Sequence, residues 1–76
     1  MTNVNKTILE LERGEISTIK SVDGPDKLIL TLLKQGLTPG TQIEKKYSGI
    51  FGDPIAFSAR GATIALRKDE ARCLQI

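Results

Sequence analysis

The run Gly36-Leu37-Thr38-Pro39-Gly40 ends one element of the chain and starts another. Glycine at 36 suits the left-handed residue that closes a helix, and Pro39 cannot continue one. Pro39-Gly40 then reads as a turn, with proline fixing φ and glycine free to take a positive value. Further on, Gly52-Asp53-Pro54 marks a second turn between two alternating segments. Together these turns lay out a small barrel with one embedded helix.

The segments on either side fit that layout. Thr7 and Glu10 have capping-box spacing, which predicts a short helical turn over residues 8–11, ended by Gly14. Residues 15–22 are rich in β-branched side chains and read as a first strand. Ile16, Ile19 and Val22 break strict alternation, so a bulge is expected near Thr18. A helix over residues 25–35 follows, with Pro25 near its first position and Asp23 or Gly24 as cap. On its wheel Leu28, Ile29, Leu32 and Leu33 share one broad arc, while Leu30 lies off it. Residues 41–47 alternate with Ile43 and Tyr47 on one face. Ile55, Phe57 and Ala59 share a face of the next strand, opposite Ala56 and Ser58. Gly61 turns the chain into residues 63–67, where Ile64 and Leu66 point inward. Asp69 is expected to cap a helical turn through Arg72, and Leu74 and Ile76 alternate in a closing strand. About five short strands with one inserted helix make a mostly β, closed or nearly closed barrel, and closure would remove the sheet edges.

The 76 residues form one domain near the lower limit for a self-sufficient core. Hydrophobic content of 39% with 26% charged residues is that of an ordinary globule rather than a disordered tail. Residues 1–6 are polar apart from Met1 and Val4 and are expected to fray. They contain no apolar stretch of the kind a signal peptide needs. Leu28-Ile29-Leu30 is far too short to span or insert into a membrane. A lone cysteine, Cys73, fits a reducing cytoplasm.

The inventory for chemistry is thin. With no histidine in the chain, Cys73 has no evident general base, so an enzyme is not expected. Fe(II) and Zn(II) take several imidazole or thiolate ligands, which a single thiol does not supply. Asp23 with Asp26, and Asp69 with Glu70, read as helix N-terminal residues rather than metal ligands. No cofactor is expected. Lys45, Lys46, Arg60, Arg67 and Lys68 would serve a nucleic acid only alongside exposed aromatics, and the chain has Tyr47, Phe51 and Phe57 alone. A formal net charge of +2 adds no polyanion signal.

Binding to another protein remains. Leu28 and Leu32 turned inward leave Ile29, Leu30 and Leu33 along one flank of the helix. The bland alternative is that Ile29 and Leu33 complete the core and Leu30 alone is exposed. Phe51, at the tip of the 47–54 loop, is a second contact candidate. With Leu37 these form the candidate partner-binding set, and a weak homo-oligomer is a further outcome of such a surface.

The stretches Leu32 to Thr41, Phe51-Gly52-Asp53-Pro54-Ile55 and Ala65 to Ala71 resemble the FeoA family, small ferrous iron transport A proteins with an SH3-like barrel. The resemblance covers residues 7–76, with the motif positions Gly36, Pro39, Gly40, Gly52, Asp53, Pro54 and Gly61. It implies a cytoplasmic accessory of bacterial ferrous iron uptake whose partner is FeoB, a membrane permease with a cytoplasmic GTP-binding domain. The alternative it leaves is a regulatory or nucleic-acid-binding module outside iron transport. Transition-metal binding comes only as an attribute of the family. Ile29, Leu30 and Thr31 stand where the family usually has basic residues. Gln35 replaces a usual leucine, and Lys45 a usual apolar residue.

Overall fold

In the computed structural model the described residues are 6–76, so most of the segment expected to fray lies outside them. A capping box opens the fold. Thr7 Oγ1 accepts from the Leu9 N–H at 3.2 Å, and Glu10 Oε1 accepts from the Thr7 N–H at 2.6 Å. The 3-10 turn Ile8–Glu10 stops at Leu11. Gly14 is not its terminator: at φ +85 it turns the chain into the sheet, donating to the Lys45 carbonyl at 2.7 Å.

Residues 15–22 form two strands, β1 Ile16–Thr18 and β2 Ser21–Val22, rather than one bulged strand. Between them the Ile19 N–H donates to the Thr41 carbonyl, whereas the Lys20 N–H donates to that of Gln75. The chain thus leaves one sheet for another at this corner, and Ile19 is buried in it. The broken alternation reflects that change of sheet.

The helix α1 runs Asp26–Lys34. Pro25 itself is the N-cap, with φ −61 and ψ 141, and no side chain caps the end, so neither Asp23 nor Gly24 has the expected role. At the other end the Gly36 N–H donates to the Leu33 carbonyl and the Leu37 N–H to that of Leu32, with Gly36 at φ +84. This is a Schellman closure. It carries Leu37 back onto Leu32, and both are fully buried. Leu37 is therefore a core residue and cannot touch a partner, which corrects its place in the candidate set. The Pro39-Gly40 turn forms as expected, with the Thr41 N–H donating to the Thr38 carbonyl at 3.1 Å and Gly40 at φ +95.

Strand β3 Gln42–Ser48 pairs with β1 and with β4 Ile55–Ala59, and β4 pairs with β5 Ala62–Leu66, all antiparallel. The bulge of this sheet lies between Lys45 and Tyr47, where Phe57 faces Lys45 and Ala56 faces Tyr47. The extra residue turns Tyr47 to the face opposite Ile43. Ile43 is buried and Tyr47 is 57% exposed, not on one face as its spacing predicts. Ile55, Phe57 and Ala59 all enter the core, as does Leu66. Arg60 at φ 54 and Gly61 at φ 80 make the two-residue hairpin turn.

Helix α2, Lys68–Ala71, follows, and β6 Leu74–Gln75 pairs with β2. Asp69 lies inside α2 and is not its cap; its Oδ1 accepts from the Glu70 N–H. The architecture is a four-stranded sheet ordered β1-β3-β4-β5 beside the two-stranded β2-β6. The inserted helix falls between β2 and β3, because the expected first strand is split. The mostly β reading holds, but among the described residues hydrogen bonding does not run round a closed barrel, and β5 is left as an edge.

Candidate partner-binding surface

The two inward positions of α1 are Leu32, fully buried, and Leu28, half-buried. Leu30 and Leu33, three residues apart and so neighbours on the helix surface, are 58% and 37% exposed. Ile29 is half-buried and borders them. The flank read from the sequence is therefore present, with Leu30 and Leu33 as its exposed members and Ile29 as its edge.

The second patch is built by the loop between β3 and β4. The Gly49 N–H donates to the Pro54 carbonyl at 2.8 Å, and the Gly52 N–H to the Gly49 carbonyl at 2.9 Å. That inner turn puts Ile50 and Phe51 at its two central positions, from which side chains must project. They are 96% and 91% exposed. Ile50 was missed from sequence, although two large apolar residues between Gly49 and Gly52 are the signal for it. A Cβ on Gly49 would meet the carbonyl oxygens of Pro54 at 3.1 Å and Asp53 at 3.2 Å, so a side chain there would press on the loop base. Asp53 ties the loop to α2, its Oδ1 accepting the Lys68 N–H at 3.0 Å.

The two patches do not merge. Arg60, beyond the last residue of β4, lies beside Gly36 at the end of α1, whereas Phe51 precedes the first residue of the same strand. The cationic side chains are likewise dispersed, with Arg60 past the end of β4, Arg67 and Lys68 past the end of β5, and Lys45 and Lys46 within β3. Phe57 is buried, which leaves Tyr47 and Phe51 as the exposed aromatics. A groove of about 600 Å³ near the Pro39-Gly40 turn is lined by residues including Ile16, Glu44, Ser58 and Arg60.

Cys73 is buried, and its thiol donates to the Asp69 carbonyl at 3.4 Å. Burial raises its pKa above the ordinary value, and the nearby carboxylates of Asp69, Glu70 and Asp23 raise it further. Such a thiol is a poor nucleophile and a poor metal ligand at neutral pH. Among the described residues no group of three or more His, Cys, Asp or Glu side chains is placed to hold a metal ion. Among the described residues no helix is long and apolar enough to cross a membrane.

The FeoA domain family model matches residues 6–76. The chain belongs to the FeoA family. Iron(II) transport protein A from Clostridium thermocellum has 30% identity to this FeoA domain and a TM-score of 0.84 over 91% of the chain. The match spans 43% of that longer relative, less than half its length. An FeoA-like protein from Clostridium acetobutylicum matches 97% of the chain and 86% of its own, with 26% identity and a TM-score of 0.86. FeoA from Stenotrophomonas maltophilia, described as a prokaryotic SH3 domain protein and solved with zinc, shares the fold at 23% identity. Its TM-score is 0.80, over 91% of this chain and 86% of that one. No curated protein shows a significant match. The SH3-like expectation therefore holds.

Proposed function

We propose that this FeoA domain is a non-catalytic, cytoplasmic accessory of ferrous iron uptake that binds the cytoplasmic part of a FeoB-type permease and modulates it. The observation that carries the reading is the family match across residues 6–76. The similarity to a protein described as an iron(II) transport protein supports it. Ferrous iron is the cargo of the system, and this domain acts by contact. The contact assigned to it is the α1 flank of Leu30 and Leu33 with Ile29, with the Ile50-Phe51 tip as a second foothold. Apolar area is worth roughly 25 cal/mol per Å², so covering the flank contributes a few kcal/mol. Association costs at least that much in lost freedom, which makes the complex weak and reversible.

The test is retention from detergent-solubilised native membranes on the immobilised domain, with the permease scored by mass spectrometry. The wild type retains it. Leu30→Glu does not, while its circular dichroism stays native, because an exposed helix position tolerates glutamate. Absence of the permease from the wild-type eluate sinks the reading. Equal retention by the variant moves the contact to the loop tip.

A further inference from the structure

Among the described residues strand β5 is an unpaired edge of the four-stranded sheet. Its two-residue turn makes Ala59 and Ala62 a pair that exchanges both ladder bonds, so Ile64 and Leu66 also bond to β4. The same alternation turns the N–H and C=O groups of Thr63 and Ala65 away from the sheet. Among the described residues no backbone hydrogen bond joins Ala62–Leu66 to anything beyond the ladder with β4. Ala62, Thr63 and Ala65 are exposed and Ile64 is half-buried. The strand has no charge, no proline and no bulge, the devices that normally blunt an edge. The opposite edge, β1, is only three residues long, with Glu15 before it and Lys20 close behind.

We propose that β5 is a self-association site, to which β5 of a second copy adds antiparallel about a two-fold axis through Ile64. In that register Thr63 of each copy faces Ala65 of the other, and every outward N–H and C=O meets its complement. Ile64 faces its own counterpart as a β-branched cross-strand pair, a favourable combination. Arg67 comes opposite Gly61, which has no side chain to oppose it, and the first like-charged pair, Arg60 with Lys68, falls beyond the ends of both strands. The second copy is the occupant that this edge itself specifies, because one register satisfies both copies. A foreign strand would have to bring that match from outside.

A single strand pair buries less than the standard interface of about 1,600 Å², so the dimer is weak, with a dissociation constant on the order of 0.1–1 mM. This proposal does not rest on the permease reading, and it uses a face distinct from the α1 flank and the loop tip.

The experiment is a dilution series of the full chain, from about 2 mM to about 50 μM, followed by amide NMR and by sedimentation at both ends. The amides of Thr63 and Ala65 should shift most with concentration, and the association should persist in about 0.5 M salt, since no ion pair holds it. Ala65→Pro removes an outward donor without touching the β4 ladder. Thr63→Lys puts a charge on the edge. Each should weaken association at least tenfold, and if Ala65→Pro does not fold, Thr63→Lys decides. A monomer throughout the series overturns the proposal. So do shifts centred on Ile50, Phe51 or α1, or association unchanged in the folded variants.

Discussion

Gly24→Ala is the substitution this fold should tolerate least. Gly24 has φ +152, and a Cβ built on it falls 2.6 Å from Cys73 Sγ and 3.5 Å from Cys73 Cβ. Cys73 is 3% exposed and held by its bond to the Asp69 carbonyl, so the sulfur has nowhere to retreat. Two costs therefore add. A side chain at this φ costs about 1–3 kcal/mol, and forcing extra volume against a packed sulfur costs about 1–3 kcal/mol more. A domain of this size has a total stability of roughly 4–11 kcal/mol, so the sum consumes a large share of it. The two costs separate in a double-mutant cycle. Cys73→Ala alone leaves a small cavity worth about 1 kcal/mol. In the double variant the 2.6 Å contact is gone and only ordinary contact with Cβ remains. Urea denaturation followed by circular dichroism should then show Gly24→Ala costing at least 1 kcal/mol less in the Cys73→Ala background than in the wild type. Additivity of the two substitutions within about 0.5 kcal/mol would refute the packing of Gly24 against Cys73.

Gly36→Val should cost more than about 1 kcal/mol, because valine is disfavoured at φ +84 and its Cβ would press on Arg60 Cδ at 3.3 Å; an unchanged melting temperature would remove the Schellman closure from the argument. The raised pKa of Cys73 predicts slow alkylation at neutral pH compared with the unfolded chain. The linkage runs the same way. Above the ordinary thiol value of 9.0 the unfolded chain has released a proton that the folded chain keeps, so stability falls as pH rises beyond it. In Cys73→Ala that contribution should vanish from the stability profile. Calorimetric titration of the domain with Fe(II) or Zn(II) should show no site tighter than about micromolar, for want of imidazole and thiolate ligands; a tight stoichiometric site would overturn this.

The turns were legible because their chemistry is local. Gly36, Pro39-Gly40 and Gly61 each announce a backbone conformation that few other residues adopt, and the alternation of Ile55, Phe57 and Ala59 needs no partner to be read. The split of residues 15–22 was not legible. A break in alternation looks the same whether the strand bulges or changes sheets, and the choice depends on β6, far away in sequence. The bulge after Lys45 was equally hidden, since two adjacent lysines leave no apolar mark of the extra residue. Leu37 could have been placed correctly, because the residue after a helix-ending glycine commonly packs back on the last turn. In the candidate surface, the wheel shows Leu30 to be off the buried arc. Ile50 carried a signal in its place beside Phe51 between two glycines, but the hydrogen bonds that hold both residues outward are displayed only by the folded backbone.

The Ile76 N–H donates to the Lys6 carbonyl at 2.8 Å, and Thr7 bridges to Gln75. The two ends of the described chain thus meet as neighbours in one small ladder. A host protein cut open at a surface loop and spliced to these ends would find its own cut ends returned almost to contact. The loop-closure entropy of such an insertion is small. By this geometry the domain is a cassette: it can be spliced into a longer protein, or rejoined end to end and reopened at an exposed turn, with little disturbance to its core.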